Sequence, residues 1–208
     1  MARNVQAATV VNPNIRRWVD VDIDASSYLA ENGTVPSAVS ATVVATETGD
    51  NLLHKTVLTC TALPLTVTDD AGVAQYGGVQ VYTFPLGLVV TQAARVAGNL
   101  TLGVTGTIID AFTGVNALGS VTATTGATLT GTEATWLQST ANAAASTKVA
   151  AITSFSIATA LTESGGRVYD GTTTAAPVFL NFAIADDATH TTGTGTFTGT
   201  ITILWSKI

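Results

Sequence analysis

A strict alternation of threonine with glycine or apolar residues runs along the C-terminal end of the chain. From Thr192 to Thr202 every second residue is threonine, and Phe197, Ile201 and Ile203 lie at intervening positions. Successive side chains of a strand point to opposite faces, so this period of two predicts a strand with one hydroxyl face and one buried apolar face. Weaker alternation recurs over much of the chain.

The weaker alternation predicts a series of short strands separated by Gly, Asn, Asp and Pro. The predicted strands cover residues 18–24, 37–46, 52–68, 78–84, 99–109, 150–161 and 178–185. The last of these, VFLNFAIA, is almost continuously apolar, which is typical of a buried strand, and it is expected to pair with the final threonine strand. Many short strands joined by turns favour an all-β sandwich or barrel.

One stretch favours a helix. Residues 133–145, EATWLQSTANAAA, are rich in alanine, and Thr132 precedes them as a possible N-cap. We therefore expect at most one short helix in the fold.

The N-terminal end differs from the rest of the chain. Residues 1–15 contain few large hydrophobic side chains and include Asn12-Pro13-Asn14, which predicts an extended arm. The length of 208 residues suits one large β-domain, so residues 16–208 are predicted to form a single domain.

Charge and cysteine content exclude several functions. The net charge is −6 and no cluster of Lys and Arg exists, which disfavours direct nucleic-acid binding. Cys60 is the single cysteine, so no intrachain disulfide or zinc motif is predicted. No signal peptide or 18-residue apolar run is evident, so we expect synthesis in a cytoplasm and no membrane partner.

The low content of charged residues bears on assembly. Charged residues make up 11 % of the chain, against ~25 % in ordinary soluble domains. Either much of the surface is covered in an assembly, or threonine and serine keep it polar without charge. The threonine row itself could serve ice or sugar binding, or could reflect only the preference of threonine for exposed strand positions.

No catalytic constellation can be recognised. The two histidines, His54 and His190, lie in no catalytic motif, and we interpret both as surface or partly packed residues. Paired aspartates such as Asp69-Asp70 fall at turns, where Asp side chains bond their own backbone. We therefore predict no enzyme activity, no catalytic residues and no cofactor.

Four acidic residues match the spacing of a calcium loop. Asp20, Asp22, Asp24 and Glu31 occupy positions 1, 3, 5 and 12 of such a loop. Position 6 normally holds glycine but here is Ala25, and helical flanks are absent. The alternation WVDVDID favours a solvated acidic strand face, and metal binding at these four residues is left open.

The C-terminal third resembles a known protein family. An apolar strand, PVFLNFAIADD, is followed by a polar turn and by GTFTGTITILWSKI. This order resembles head decoration, or cement, proteins of tailed bacteriophages. The resemblance implies an antiparallel β-sandwich of jelly-roll-like form, a homo-oligomer, and binding to the outer surface of a capsid shell.

The resemblance leads to a function and an alternative. A decoration protein would bind the major capsid protein on the virion exterior, stabilise the shell, and form trimers that match local three-fold positions, with residues 1–15 as one contact. The alternative is a phage fibre or receptor-binding module that recognises carbohydrate. That module would need exposed aromatic residues, for which Trp18, Trp136 and Tyr169 are candidates, although core packing is their other expected role.

Overall fold

The structure, a computed structural model, describes residues 32–50, 53–70, 74–103, 113–124, 129–141, 149–157, 168–185 and 193–207. Within these residues it contains strands and two short 3₁₀ helices, at Ser37–Val39 and Gly131–Ala134. The strands are β1 Val43–Asp50, β2 Leu53–Asp70, β3 Ala74–Thr83, β4 Gly87–Gly103, β5 Thr113–Gly119, β6 Leu137–Ala141, β7 Val149–Ile157, β8 Val168–Gly171, β9 Pro177–Ala185 and β10 Gly193–Lys207. The all-β prediction is confirmed.

The strands form one antiparallel sheet that curls into two halves. The first half-sheet has the order β1-β2-β10-β4, with β7 and β8 both paired to β4. The second half-sheet has the order β3-β9-β5-β6. The long strand β2 joins them, because its last residues, Thr68 to Asp70, pair with β3. The result is an antiparallel β-sandwich of jelly-roll-like form, as predicted.

The core lies between the two half-sheets. On β10 the residues between the threonines, Phe197, Ile201 and Ile203, are completely buried, which confirms the predicted two-faced strand. They belong to one apolar cluster with Leu180 and Phe182 of β9. Burial of large apolar side chains from both halves stabilises the curled form, since each half-sheet covers the apolar face of the other.

The predicted helix over residues 133–145 is wrong where the structure describes it. A 3₁₀ helix ends at Ala134, and Leu137–Ala141 is strand β6, paired to β5. Trp136 and Leu137 are both buried against the core. Packing of these two side chains outweighs a weak helical preference, because a short isolated helix is marginal in water.

The predicted pairing of the last two strands is also wrong. Strand β9 pairs with β3 and β5, whereas β10 pairs with β2 and β4. The two consecutive strands therefore belong to opposite halves of the sandwich. Strand order depends on which strands close the core together, and an alternating pattern in one strand does not specify its partners.

The described strands belong to a compact unit that spans residues 32–208. The arm predicted over residues 1–15 and the strand predicted over residues 18–24 lie outside the described residues. The predicted domain boundary after residue 15 therefore stays a prediction.

Candidate functional site: an uncharged threonine face

The outward side of β10 presents a row of threonine side chains. Thr194, Thr196, Thr198 and Thr200 are exposed, because the residues between them point into the core. Along a strand, side chains on one face repeat every ~6.8 Å. The four hydroxyls therefore form an evenly spaced row across the middle of the first half-sheet.

Neighbouring strands extend this row into a two-dimensional surface. Exposed threonines of β2, Thr66 and Thr59, lie directly opposite Thr194 and Thr200. On the other side of β10, exposed Thr101 of β4 lies opposite Thr196. Adjacent strands are ~4.8 Å apart, so the hydroxyls of neighbouring strands lie side by side. We call the outward side of β1, β2, β10 and β4 the threonine face.

The threonine face carries little charge. Between the level of Lys55 and Leu204 and the level of Thr66 and Thr194, the described outward side chains include two charged residues, Lys55 and Arg95. The other outward residues are mainly threonine, alanine and valine. Covering neutral hydroxyls costs less free energy than covering unpaired charges, so this surface is suited to contact with another macromolecule.

Apolar surface lies at the margin of the threonine face. Val44 of β1 is 62 % exposed and lies opposite Thr59, at the same level as Thr200. Strand β1 pairs with β2 alone among the described strands, so it forms an edge of the half-sheet. An exposed valine beside neutral hydroxyls adds a small apolar contact area to the face.

A backbone irregularity positions one of the threonines. The pairing of β10 with β2 shifts register between Phe197 and Gly199, and Ala62 of β2 has a positive φ of 49°. The amide of Ala62 donates a hydrogen bond to the Thr198 hydroxyl oxygen at 3.0 Å. Thr198 is therefore held in place by the neighbouring strand, as is common where a bulge interrupts a ladder.

A buried group of three side chains, Glu47, His54 and Tyr82, lies on the inner side of the same half-sheet, and we call it the acidic cluster after its single carboxylate, Glu47. The Glu47 carboxylate on β1 accepts hydrogen bonds from the Tyr82 hydroxyl of β3 and from the Gly33 amide, the latter at 3.2 Å. Its second oxygen lies 3.9 Å from Nδ1 of His54. Burial disfavours the ionised carboxylate and raises the pKa of Glu47 to about 7, an effect that the Gly33 hydrogen bond partly offsets.

His54 is more deeply buried than the sequence predicted. It is 5 % exposed, and its ring stacks on Trp205 with centroids 4.1 Å apart. The Trp205 indole nitrogen donates a hydrogen bond to the Thr56 hydroxyl at 2.8 Å. No local pattern around His54 indicates this burial, because β2 alternates only loosely in sequence and the stacking partner lies 151 residues away along the chain.

A second buried polar group ties a loop to the core. The Asn181 side chain of β9 donates hydrogen bonds to the carbonyl oxygens of Val121 and Glu133, each at 2.8 Å, and accepts one from the Ala123 amide at 3.0 Å. Glu133 in turn accepts hydrogen bonds from the amide and hydroxyl of Thr124. This network satisfies the buried backbone of the loop and has a structural role.

Of the aromatic residues considered for sugar binding, two lie in the described region, where Trp136 is buried and Tyr169 is half-buried. Trp136 is 2 % exposed, and its indole nitrogen donates a hydrogen bond to the Pro177 carbonyl oxygen at 3.0 Å. Tyr169 packs against Trp136 with centroids 5.5 Å apart. Trp18 lies outside the described residues. The core-packing role is therefore the one observed for Trp136.

The other candidate residues also lie outside the described region. They are Asp20, Asp22, Asp24, Glu31 and His190. Among the residues that the structure does describe, no group of three or more His, Cys, Asp or Glu side chains is arranged to hold a metal ion.

Comparison with known proteins adds no relative: no family model, no curated protein and no solved structure matches the chain. Within the described ranges, no helix has both the length and the apolar character needed to cross a membrane.

Proposed function

We propose that this chain is a virion structural protein, a capsid decoration protein that binds the outer surface of an assembled shell and stabilises it. The observation that carries the proposal is the threonine face, a broad sheet surface with few charges. A ligand that binds only the assembled state stabilises that state by mass action, and no reaction is required. In this proposal the protein is not an enzyme and acts on the virion exterior.

The shell is the proposed occupant of the threonine face. Neutral hydroxyls can exchange hydrogen bonds with water for hydrogen bonds with a protein surface at small cost. Several such contacts, repeated on each copy of a trimer, add through multivalency, so that individually weak contacts produce stable occupancy. A trimer would also match local three-fold positions of a shell.

Charge placed on the threonine face tests the proposal. We expect Thr196→Glu and Thr200→Glu each to lower the occupancy of the shell by this protein by roughly 10-fold or more, because an unpaired carboxylate would be buried at the contact. Occupancy would be measured by co-sedimentation with shells assembled from the major capsid protein encoded in the same genome. Gln138→Glu, at an exposed position on β6 of the second half-sheet, is the matched control and should leave occupancy unchanged.

Each part of the proposed function, namely the threonine face, binding to the shell, the arm and the trimer, has its own test. Unchanged occupancy in both threonine variants would exclude the face as the contact, and absence of binding by the wild-type chain would overturn the proposed function. Removal of residues 1–15 tests the predicted arm separately, since loss of binding there would assign the contact to the arm. Sedimentation velocity of the purified chain tests the trimer.

A further inference from the structure

Residues 32–36 cross the end of β3 and cover the buried acidic cluster. Thr34 and Thr83 exchange two backbone hydrogen bonds, each 2.8 Å long. The Gly33 amide donates to the Tyr82 hydroxyl oxygen at 2.8 Å as well as to Glu47, and Val35 packs against the core. We call residues 32–36 the strap.

The strap lies too close to the cluster to leave room for a side chain at Gly33. A Cβ atom there would overlap the Thr83 carbonyl oxygen and the Tyr82 ring. Glycine allows the backbone to approach Tyr82 closely enough for its amide to reach the Glu47 carboxylate. The seal over the carboxylate therefore depends on the absence of a side chain at this residue.

The carboxylate beneath the strap is poorly compensated when it is ionised. The Glu47 side chain is 6 % exposed, and its second oxygen accepts no hydrogen bond. A buried carboxylate normally has its charge paired or its oxygens hydrogen-bonded, because desolvation of an ion is costly. In Glu47, one carboxylate oxygen accepts hydrogen bonds from the Gly33 amide and the Tyr82 hydroxyl, and the other faces the His54 ring.

Few titratable groups surround Glu47 in the described part of the chain. His54 faces it from β2 and Tyr82 faces it from β3, while the strap carries no titratable side chain. Trp205 of β10 backs His54 and is neutral. A substitution at Glu47 is therefore needed to assign a pH dependence of the strap to this carboxyl group.

We propose that the strap is a pH-sensitive closure over the acidic cluster. The closed state is favoured while Glu47 is protonated, and the open state becomes more favourable when Glu47 is ionised. Opening would expose the carboxylate to water, where a glutamate has its ordinary affinity for protons. The closed and open states therefore differ in proton affinity, and pH shifts the equilibrium between them.

The direction of the pH dependence follows from the pKa values of Glu47 in the closed and open states. Closed, Glu47 has a pKa of about 7, above its usual 4.5. A raised pKa contributes stability to the closed state that is fully present below pH 4.5 and is lost as the pH rises through about 7. Alkaline conditions therefore favour the open strap, and acidic conditions favour the closed one. This inference does not depend on the proposed capsid function.

Hydrogen exchange at the strap amides tests the proposal in the full-length chain. We expect the protection factor of the Thr34 amide, corrected for intrinsic exchange, to fall by roughly 10-fold between about pH 6 and about pH 8.5. The Trp136 amide, bonded to the Leu118 carbonyl oxygen at 2.8 Å far from the cluster in sequence, is the internal reference. Wild-type protection that does not change with pH would overturn the proposal.

Two variants should remove the pH dependence of strap protection, one with the strap closed and the other with it open. Glu47→Gln keeps an acceptor for Gly33 but cannot ionise, so the strap should stay protected at both pH values. Gly33→Ala should lift the strap at both pH values because of the overlap with Tyr82 and Thr83. If Glu47→Gln retains the wild-type pH dependence, the dependence belongs to another group and the proposal is wrong.

A direct titration keeps the proposal testable if Glu47→Gln does not fold. The ¹³C resonance of the Glu47 carboxyl carbon in the wild-type protein should titrate near pH 7, and in Gly33→Ala it should titrate closer to 4.5. A wild-type titration near 4.5 would show that the strap does not control the ionisation of Glu47, and would overturn the proposal.

Discussion

Cys60 lies on β2 with its side chain in the core, 2 % exposed, opposite Val43 of β1 and Gly199 of β10. Burial disfavours the thiolate and raises the pKa of Cys60 to about 12. Since the thiolate is the reactive form, a buried thiol of this kind is chemically inert in the native protein. Cys60 therefore behaves as a small apolar residue.

This inertness can be measured with a thiol reagent. We expect the native protein at about pH 8 to react with Ellman's reagent at least ~100-fold more slowly than the chain unfolded in guanidinium chloride. The unfolded chain should release one equivalent of the coloured product, because the sequence contains one cysteine. Complete labelling of the native protein within minutes would contradict the buried position of Cys60.

At the scale of the single strand, β10 separates two kinds of side chain that alternate in sequence. Phe197 is completely buried, whereas its neighbour Thr196 is exposed. Phe197→Ala should lower the free energy of unfolding by about 3 to 5 kcal/mol, through lost burial and a residual cavity. Thr196→Ala is the matched control and should change it by less than about 0.5 kcal/mol. Urea unfolding followed by circular dichroism measures both, and equal effects would contradict the two-faced strand.

The loop held by Asn181 offers a second prediction for an element. Asn181→Ala leaves two carbonyl oxygens and one amide of the loop without their partner. We expect a loss of about 2 to 4 kcal/mol in the free energy of unfolding, since buried unpaired polar groups are costly. Asn99→Ala, at an exposed position on β4, should be nearly neutral. A loss below 1 kcal/mol for Asn181→Ala would indicate that water replaces the side chain.

At the scale of the whole molecule, one apolar cluster joins both half-sheets. It includes Cys60, Phe197 and Trp205 from the first half and Leu118 and Phe182 from the second. A shared core couples the two halves, so neither can lose its structure without exposing the apolar face of the other.

The shared core predicts a single unfolding transition for the compact unit. In urea, the loss of far-ultraviolet circular dichroism and the appearance of a reactive Cys60 thiol should have the same midpoint within error. Circular dichroism reports all strands, whereas the thiol reports β2 alone. Exposure of Cys60 at a clearly lower urea concentration would show that the first half-sheet opens by itself.

Local patterns in the amino-acid sequence are sufficient to predict the class of the fold and the two faces of its clearest strand. The period-two alternation from Thr192 to Thr202 predicts which side chains are buried, because the pleat of a strand places neighbours on opposite faces. The apolar run of β9 likewise predicts a strand buried in the core, and six of its residues, Val178 and those from Leu180 to Ile184, are buried. Such local patterns carry information about burial within one strand.

The identity of neighbouring strands, in contrast, could not be predicted from local patterns. The alternation of β10 is compatible with any partner, and its pairing with β2 and β4 rather than β9 follows from closure of the common core. The same pairing creates the threonine face, because it places Thr66, Thr59 and Thr101 beside the threonines of β10. These three residues lie far from β10 in sequence. It also places Glu47, His54 and Tyr82 together under Gly33, because burial and proton affinity depend on neighbours that no local pattern specifies.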